Sequence, residues 1–225
     1  MDPIGGTTCE ICGENLPGIS RPSGIQICAV CVETRPHFAK ATAYGAYDGE
    51  LRELIHLLKY EHVIPAAGVL GRMLAEAIAK LGIDCSSMLV VPVPLHRSKR
   101  RQRGFNQSEL IVRAALKQVP ISGAELSINV LERRRDTVSQ IGLTRPQRNE
   151  NIRGAFRVMH PNIVAGRNVL LVDDVLTTGT TVSECARILR KAGAKQVWVA
   201  TVARTLKNSS ANFETEPNPE VVARA

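Results

Sequence analysis

The residues best placed to do chemistry are Asp173 and Asp174, followed after a short spacer by Thr177, Thr178, Gly179, Thr180 and Thr181. A hydroxyl-rich loop feeding a helical pattern presents backbone N–H groups without intrahelical partners, and the helix dipole favours an anion there. Gly179 lets the backbone approach closely, and the threonine hydroxyls add donors, which makes a phosphate cradle. Carboxylates repel phosphate, so Asp173 and Asp174 suit sugar hydroxyls, or Mg²⁺ held through water. Cradle and acid pair together point to a sugar phosphate. The plain alternative is a buried strand with an acidic turn and a threonine helix cap. Neither G-x-x-x-x-G-K-[ST] nor G-x-G-x-x-G occurs in the chain, which removes the P-loop and dinucleotide readings.

A second set is Cys9-x-x-Cys12 and Cys28-x-x-Cys31, with fifteen residues between the pairs and Gly13 just after the first. Four thiolates at this spacing suit one tetrahedral, structural Zn²⁺, whose binding supplies folding energy to a segment too short for its own core. A redox C-x-x-C needs only one pair, beside a βαβ unit. Cys85 and Cys185 lie outside the pattern and read as small buried hydrophobes.

The third set is cationic. Five of the seven residues from Arg97 to Arg103 are basic, and they follow Pro92-Val93-Pro94 and precede Gly104 and Asn106. From Arg97 to Arg157 the chain carries fourteen Lys and Arg against five Asp and Glu, a net +9, which accounts for the whole excess of +8. So one-sided a field implies a polyanionic partner.

The elements that must position these groups are legible in the pattern. Val169 to Val172 is an unbroken apolar run, as in a strand of a parallel sheet buried on both faces, and a helix follows the threonine loop. Residues 88–93 form a second such strand. Its basic loop leads into a helix over 107–118, so both loops lie at the carboxyl edge of one sheet. Further strands are expected over 41–47, 129–133, 156–158 and 196–202. Helices are expected over 49–60, capped by Asp48, and over 66–81. The basic stretch from Arg133 through Arg134, Arg135, Asp136, Thr137, Gln140, Thr144, Arg145, Arg148 and Asn149 reads as a mobile hairpin. Residues 206–225 turn polar, without period, and read as a disordered tail. The expected division is a metal module over 1–38, an α/β domain over 39–205 and the tail. The first residues show no basic n-region and no apolar h-region, and no apolar run approaches the about 18 residues of a membrane span. The expectation is a cytoplasmic protein without membrane insertion, where disulfides are disfavoured.

The stretch Val169 to Thr181 resembles the phosphoribosyl diphosphate (PRPP) motif of type I phosphoribosyltransferases. That resemblance implies a mostly parallel sheet flanked by helices, with Asp173 and Asp174 on the ribose hydroxyls and Thr177, Thr178, Gly179, Thr180 and Thr181 on the 5′-phosphate. It also implies a pyrophosphate loop over Pro92, Val93, Pro94, Arg97, Arg101, Arg103, Gly104 and Asn106, a flap over the basic hairpin, and Mg²⁺ bound with PRPP. The run V-P-V-P-L-H…R-G-F-N-Q, together with the four cysteines, resembles the ComF family of bacterial competence-associated proteins, over about residues 9–205.

Two functions are implied. One is phosphoribosyl transfer with Asp173, Asp174 and Arg103 catalytic, the acceptor not named by any motif. The other is a non-catalytic single-stranded DNA-binding protein on the same scaffold, working beside DNA-uptake or recombination proteins. Phe105 and Phe156 are the only aromatics of the basic stretch, fewer than single-strand binders usually offer.

Overall fold

The computed structural model of the protein describes residues 7–16, 25–118, 123–136 and 145–206, with the backbone alone at 145, 146, 148 and 149. The expected tail beyond Leu206, with Thr137, Gln140 and Thr144, lies outside the described residues.

The chain opens with the cysteine segment and a short helix α1 (Ala29–Glu33), then strand β1 (Ala41–Ala46). Helix α2 (Gly49–Tyr60) buries Leu51, Ile55 and Leu58, one stripe at helical spacing. Asp48 stands at its N-cap position, although its side chain makes no capping hydrogen bond. Helix α3 (Ala66–Ala79) and strand β2 (Leu89–Pro92) follow. The basic stretch expected as a loop is a helix, α4 (Arg97–Arg103). Two caps explain this. The His96 side chain accepts from the Ser98 amide, and Gly104 takes the left-handed conformation at φ 78° that ends the helix. Helix α5 (Gln107–Leu116) leads to β3 (Glu125–Leu126) and β4 (Leu131–Arg133). The expected polar hairpin also holds a helix, α6 (Arg145–Ile152), before its returning strand β5 (Phe156–Val158). Ile152 explains that helix: it is fully buried against the core that α8 shares. After α7 (Pro161–Val164) come β6 (Asn168–Leu176), α8 (Thr180–Lys191) and β7 (Gln196–Arg204).

Five strands form one parallel sheet in the order β1-β7-β6-β2-β3, and β4 and β5 pair antiparallel beside it. The apolar run of β6 is buried on both faces, as expected for a central parallel strand. Val169 and Leu171 join one core with Val182, Cys185 and Leu189 of α8. Leu170 and Val172 join the other with Leu70, Leu74, Ile111 and Val112 of α3 and α5. The adjacent strands β2 and β6 therefore send their chains to opposite faces, which opens a crevice beyond their carboxyl ends. β6 runs on to Leu176, through both aspartates, because Asp173 pairs with Thr201 and Leu176 with Arg204 on β7.

Among the described residues, the cysteine segment has no separate apolar core. Cys9, Ile11, Leu16 and Phe38 belong to the α8-side core, with Leu189, Val197 and Val199.

Helices α3 and α5 cross where Gly71 meets Ala114. A Cβ on Gly71 would stand 2.6 Å from the Ala114 Cβ and 2.9 Å from the backbone of Ala114 and Ala115. Gly71→Ala is expected to lower stability by about 1–3 kcal/mol, through forced separation of the two helices, as read by urea denaturation.

Candidate functional site

The crevice is floored by the end of β6. The one-in-two alternation of the strand sets Asp173 on the α8 side and Asp174 on the α2–α3–α5 side. Asp174 is buried at 5% exposure, and Lys59 from the last turn of α2 brings its Nζ to 2.6 Å from Asp174 Oδ2. Oδ1 of the same carboxylate accepts from the Val175 amide at 2.7 Å. Asp173 is half-buried, and its Oδ1 accepts from Ser108 Oγ of α5 at 2.9 Å and from the Asp174 amide at 3.0 Å.

These partners split the two acids electrostatically. Burial, then the neighbouring charge of Asp174, pushes the Asp173 carboxyl up to about 7, against the Ser108 hydrogen bond and the Lys59 charge. Burial acts on Asp174 in the same direction, but the charge and hydrogen bond of Lys59, with the Val175 amide and Arg103, hold it below its ordinary value. Lys59 is also buried, which alone would lower its ammonium; Asp174 raises it instead.

Other cations ring the pair. Arg103 is half-buried, donates to Gln107 Oε1 at 2.7 Å and lies 5.4 Å over the Tyr60 ring. Arg133 of β4 is half-buried, lies 5.5 Å over Phe156 and is electrostatically coupled to Asp173. Lys99 stands exposed at the rim; partial desolvation, then the like charge of Arg133, lowers its ammonium, and Arg103 and Lys59 add to that effect. Like charges crowded in this way favour an incoming anion.

Gly179 is left-handed at φ 77° and stands at the N-cap of α8, while the Thr178 and Thr180 hydroxyls bond each other at 2.9 Å. Thr177 is exposed, and Thr181 is half-buried in the first turn.

The expected pyrophosphate residues divide into two groups. Asn106 is structural: its Nδ2 donates to the Val93 carbonyl at 3.0 Å and its Oδ1 accepts from Ser108 N, tying α5 to the end of β2. The Val93 amide in turn bonds the Val172 carbonyl. Arg97 points to Glu132 at 2.7 Å and is exposed, as is Arg101. Of the arginines assigned to this loop, Arg103 is the one that turns toward the acids. Helix α4 is latched to the segment that follows β4: Ser98 Oγ donates to Asp136 Oδ2 at 2.5 Å, and the same oxygen lies 3.2 Å from His96 Nδ1. Arg135 serves the hairpin, donating to the carbonyls of Asn151 and Arg153 at 2.9 Å each. The side chains of Arg145, Arg148 and Asn149 lie outside the described residues.

Sequence reasoning did not single out Lys59 or Ser108; it held Arg133 within the basic flap without choosing among its arginines, and Lys99 within the basic loop without naming it. For Lys59 a signal existed: it sits four residues after the buried Ile55, at the margin of the apolar stripe, where a lysine has reason to be paired. For Ser108 only the tertiary fold places it, and for Arg133 the fold picks it out of the basic stretch.

The four cysteine sulfurs all lie within 4.8 Å of one another and are buried, so the cluster can hold a metal ion. Burial pushes the Cys12 thiol up to about 11, the Arg204 charge opposing it, and burial with the neighbouring sulfurs raises Cys31 further. A cation among the sulfurs would reverse that trend. Arg204, at the end of β7, donates to the Cys12 carbonyl and to Glu14 Oε2, the latter at 2.9 Å, with both side chains buried. Cys185 is fully buried and its thiol is raised well above the ordinary value by burial, which makes it inert; Cys85 is only partly buried. Among the described residues, no helix is long and apolar enough to cross a membrane.

Residues 85–217 match the phosphoribosyl transferase domain family. The chain is 30% identical to competence protein F of Haemophilus influenzae over 87% of this chain and 84% of that protein. It is 32% identical to the DNA utilization protein YhgH of Escherichia coli, over 89% of this chain and 85% of that one. Competence protein ComFC of Streptococcus pneumoniae matches at 26% identity over 72% and 67% of the respective chains.

The folded-state value near 7 for Asp173 stands above the about 3.9 of an unfolded aspartate. The native state therefore binds the extra proton between those values, and this group costs the fold stability as pH rises through that window. Asp173→Asn lacks that loss. Its stability relative to the parent is expected to climb between pH 4 and 7 and level off above, measured by denaturant melts across the range.

Proposed function

The chain belongs to the phosphoribosyl transferase domain family and, within it, to the competence protein F (ComF) family. From that premise we propose that it binds PRPP or a related ribose phosphate in the crevice between β2 and β6. One observation carries this reading: two acids, a glycine–threonine loop at a helix start and a ring of cations meet at one sheet edge. The backbone at Thr177, Thr178, Gly179, Thr180 and Thr181 receives the 5′-phosphate. Asp173 and Asp174 face the ribose. Arg103, Lys99 and Arg133 draw in the diphosphate, with Pro92, Val93, Pro94, Gly104 and Asn106 shaping that wall.

Such a site suits displacement of diphosphate from C1 by a nucleophile. Catalysis there is positioning together with charge stabilisation of the leaving group. The β4–β5 hairpin, carrying Arg133 and latched to α4 through Asp136, is the flap that excludes water from the reacting carbon. When bound, Mg²⁺ supplies neutralising charge to the diphosphate. The acid pair fits a protein-held Mg²⁺ poorly, since Lys59 and the Val175 amide take both oxygens of Asp174 and Ser108 takes one of Asp173.

For the cysteine cluster we propose structural zinc. Tetrahedral Zn–S bonds of about 2.3 Å set the sulfurs about 3.8 Å apart, and Cys12 Sγ and Cys28 Sγ stand 3.7 Å apart. Purified protein is expected to release one zinc per chain on unfolding, and chelation is expected to lower its melting temperature; Cys28→Ser should do the same.

A second reading is binding of single-stranded DNA beside DNA-uptake or recombination proteins. It is favoured by the relatives' names and by α4, whose Arg97, Arg100 and Arg101 are exposed and whose Arg103 lies over the Tyr60 ring. Calorimetric titration separates the two readings. Asp173→Asn/Asp174→Asn is expected to lose PRPP binding by at least about tenfold, about 1.4 kcal/mol, while DNA binding, weakening steeply with salt, persists. Loss of both ligands together would show a single shared site.

A further inference from the structure

Two carboxylates at the ribose position would ordinarily leave a strongly anionic floor, which a diphosphate ligand reaches with the help of a divalent metal. This floor is different. Three of the four carboxylate oxygens are already engaged by groups of the chain: Asp174 Oδ2 by Lys59 at 2.6 Å, Asp174 Oδ1 by the Val175 amide, and Asp173 Oδ1 by Ser108 and the Asp174 amide. Among the described residues, the four cysteines are the only cluster of three or more metal-ligating side chains. Both oxygens of Asp174 are thus engaged within the chain, and an ammonium stands beside that carboxylate where a cation from solution would otherwise sit.

The pairing is enforced by burial. The Lys59 side chain is 16% exposed and that of Asp174 is 7% exposed. A buried lysine without its carboxylate, or the carboxylate without its lysine, would carry a large desolvation cost. Lys59 also belongs to the group with Lys99, Arg103 and Arg133 that raises positive charge around the acids.

We propose that Lys59 is a positioning residue of the ligand site: as a buried ion pair with Asp174 it leaves Asp173 to read the sugar hydroxyls and makes diphosphate-ligand binding independent of Mg²⁺. The inference rests on the ribose-phosphate reading and names how that site balances charge. Lys59→Arg keeps the cation. Lys59→Met removes it. Lys59→Gln keeps a hydrogen-bond donor to Asp174 without charge, and it carries the same test should the methionine variant fail to fold.

The test is calorimetric titration of the full chain with PRPP, once in excess EDTA and once in Mg²⁺, with thermal melts confirming that each variant is folded. The parent is expected to bind in EDTA within about threefold of its affinity in Mg²⁺. Lys59→Met or Lys59→Gln is expected to lose at least about tenfold in EDTA and to recover in Mg²⁺, while Lys59→Arg stays near the parent. A residue with only a structural role would shift both conditions alike, so equal losses overturn the proposal, as does a neutral variant that matches the parent in EDTA. Parent binding that EDTA abolishes also overturns it, while leaving the ribose-phosphate reading standing. No PRPP binding by the parent in either condition overturns that reading and the inference with it.

Discussion

Two adjacent carboxylates cannot be sunk at the end of a buried strand unless the fold brings cations and donors to them, and this requirement organises the molecule around β6. One partner, Lys59, comes from α2. Another, Ser108, comes from the first turn of α5, which Asn106 pins to β2. Arg103 ends α4, and Arg133 ends β4. None of these elements neighbours β6 in the sequence. They converge because β2 and β6 are adjacent in the sheet and send their chains to opposite faces, leaving a crevice where side chains from both layers meet.

The cysteine segment is joined to the same floor. Arg204 ties Cys12 and Glu14 to the end of β7, and there it pairs with Leu176, the last residue before the threonine loop. The Thr205 amide also donates to the Leu176 carbonyl. A break in the cysteine cluster would therefore be felt first by a buried arginine whose backbone borders the threonine loop. That joins the cluster to the crevice through the chain itself.

The local features were legible from residues alone. The apolar run Val169 to Val172 was a two-sided buried strand, and its loop and helix followed where the glycine and threonines placed them. The cysteine spacing corresponded to a cluster with all four sulfurs close together. What escaped depends on contacts distant in sequence. Ser108 and Asp173 are 65 residues apart, and Glu14 and Arg204 are 190 apart, so no window of the chain displays either pair. Helix α4 was misread as a loop because a run of arginines lacks an apolar face, and its caps at His96 and Gly104 carry the helix instead. The two acids were placed after a strand that in fact continues through them, held by pairing with β7.

The central claim is that a ribose phosphate sits with its phosphate on the threonine loop and its sugar on the acids. Amide ¹H–¹⁵N spectra of the labelled, zinc-loaded protein during titration with PRPP test it most directly. The account predicts saturable shifts concentrated at the amides of Thr178 to Thr181 and at Asp173 to Val175. Shifts confined to α4, or none at saturating ligand, would contradict it.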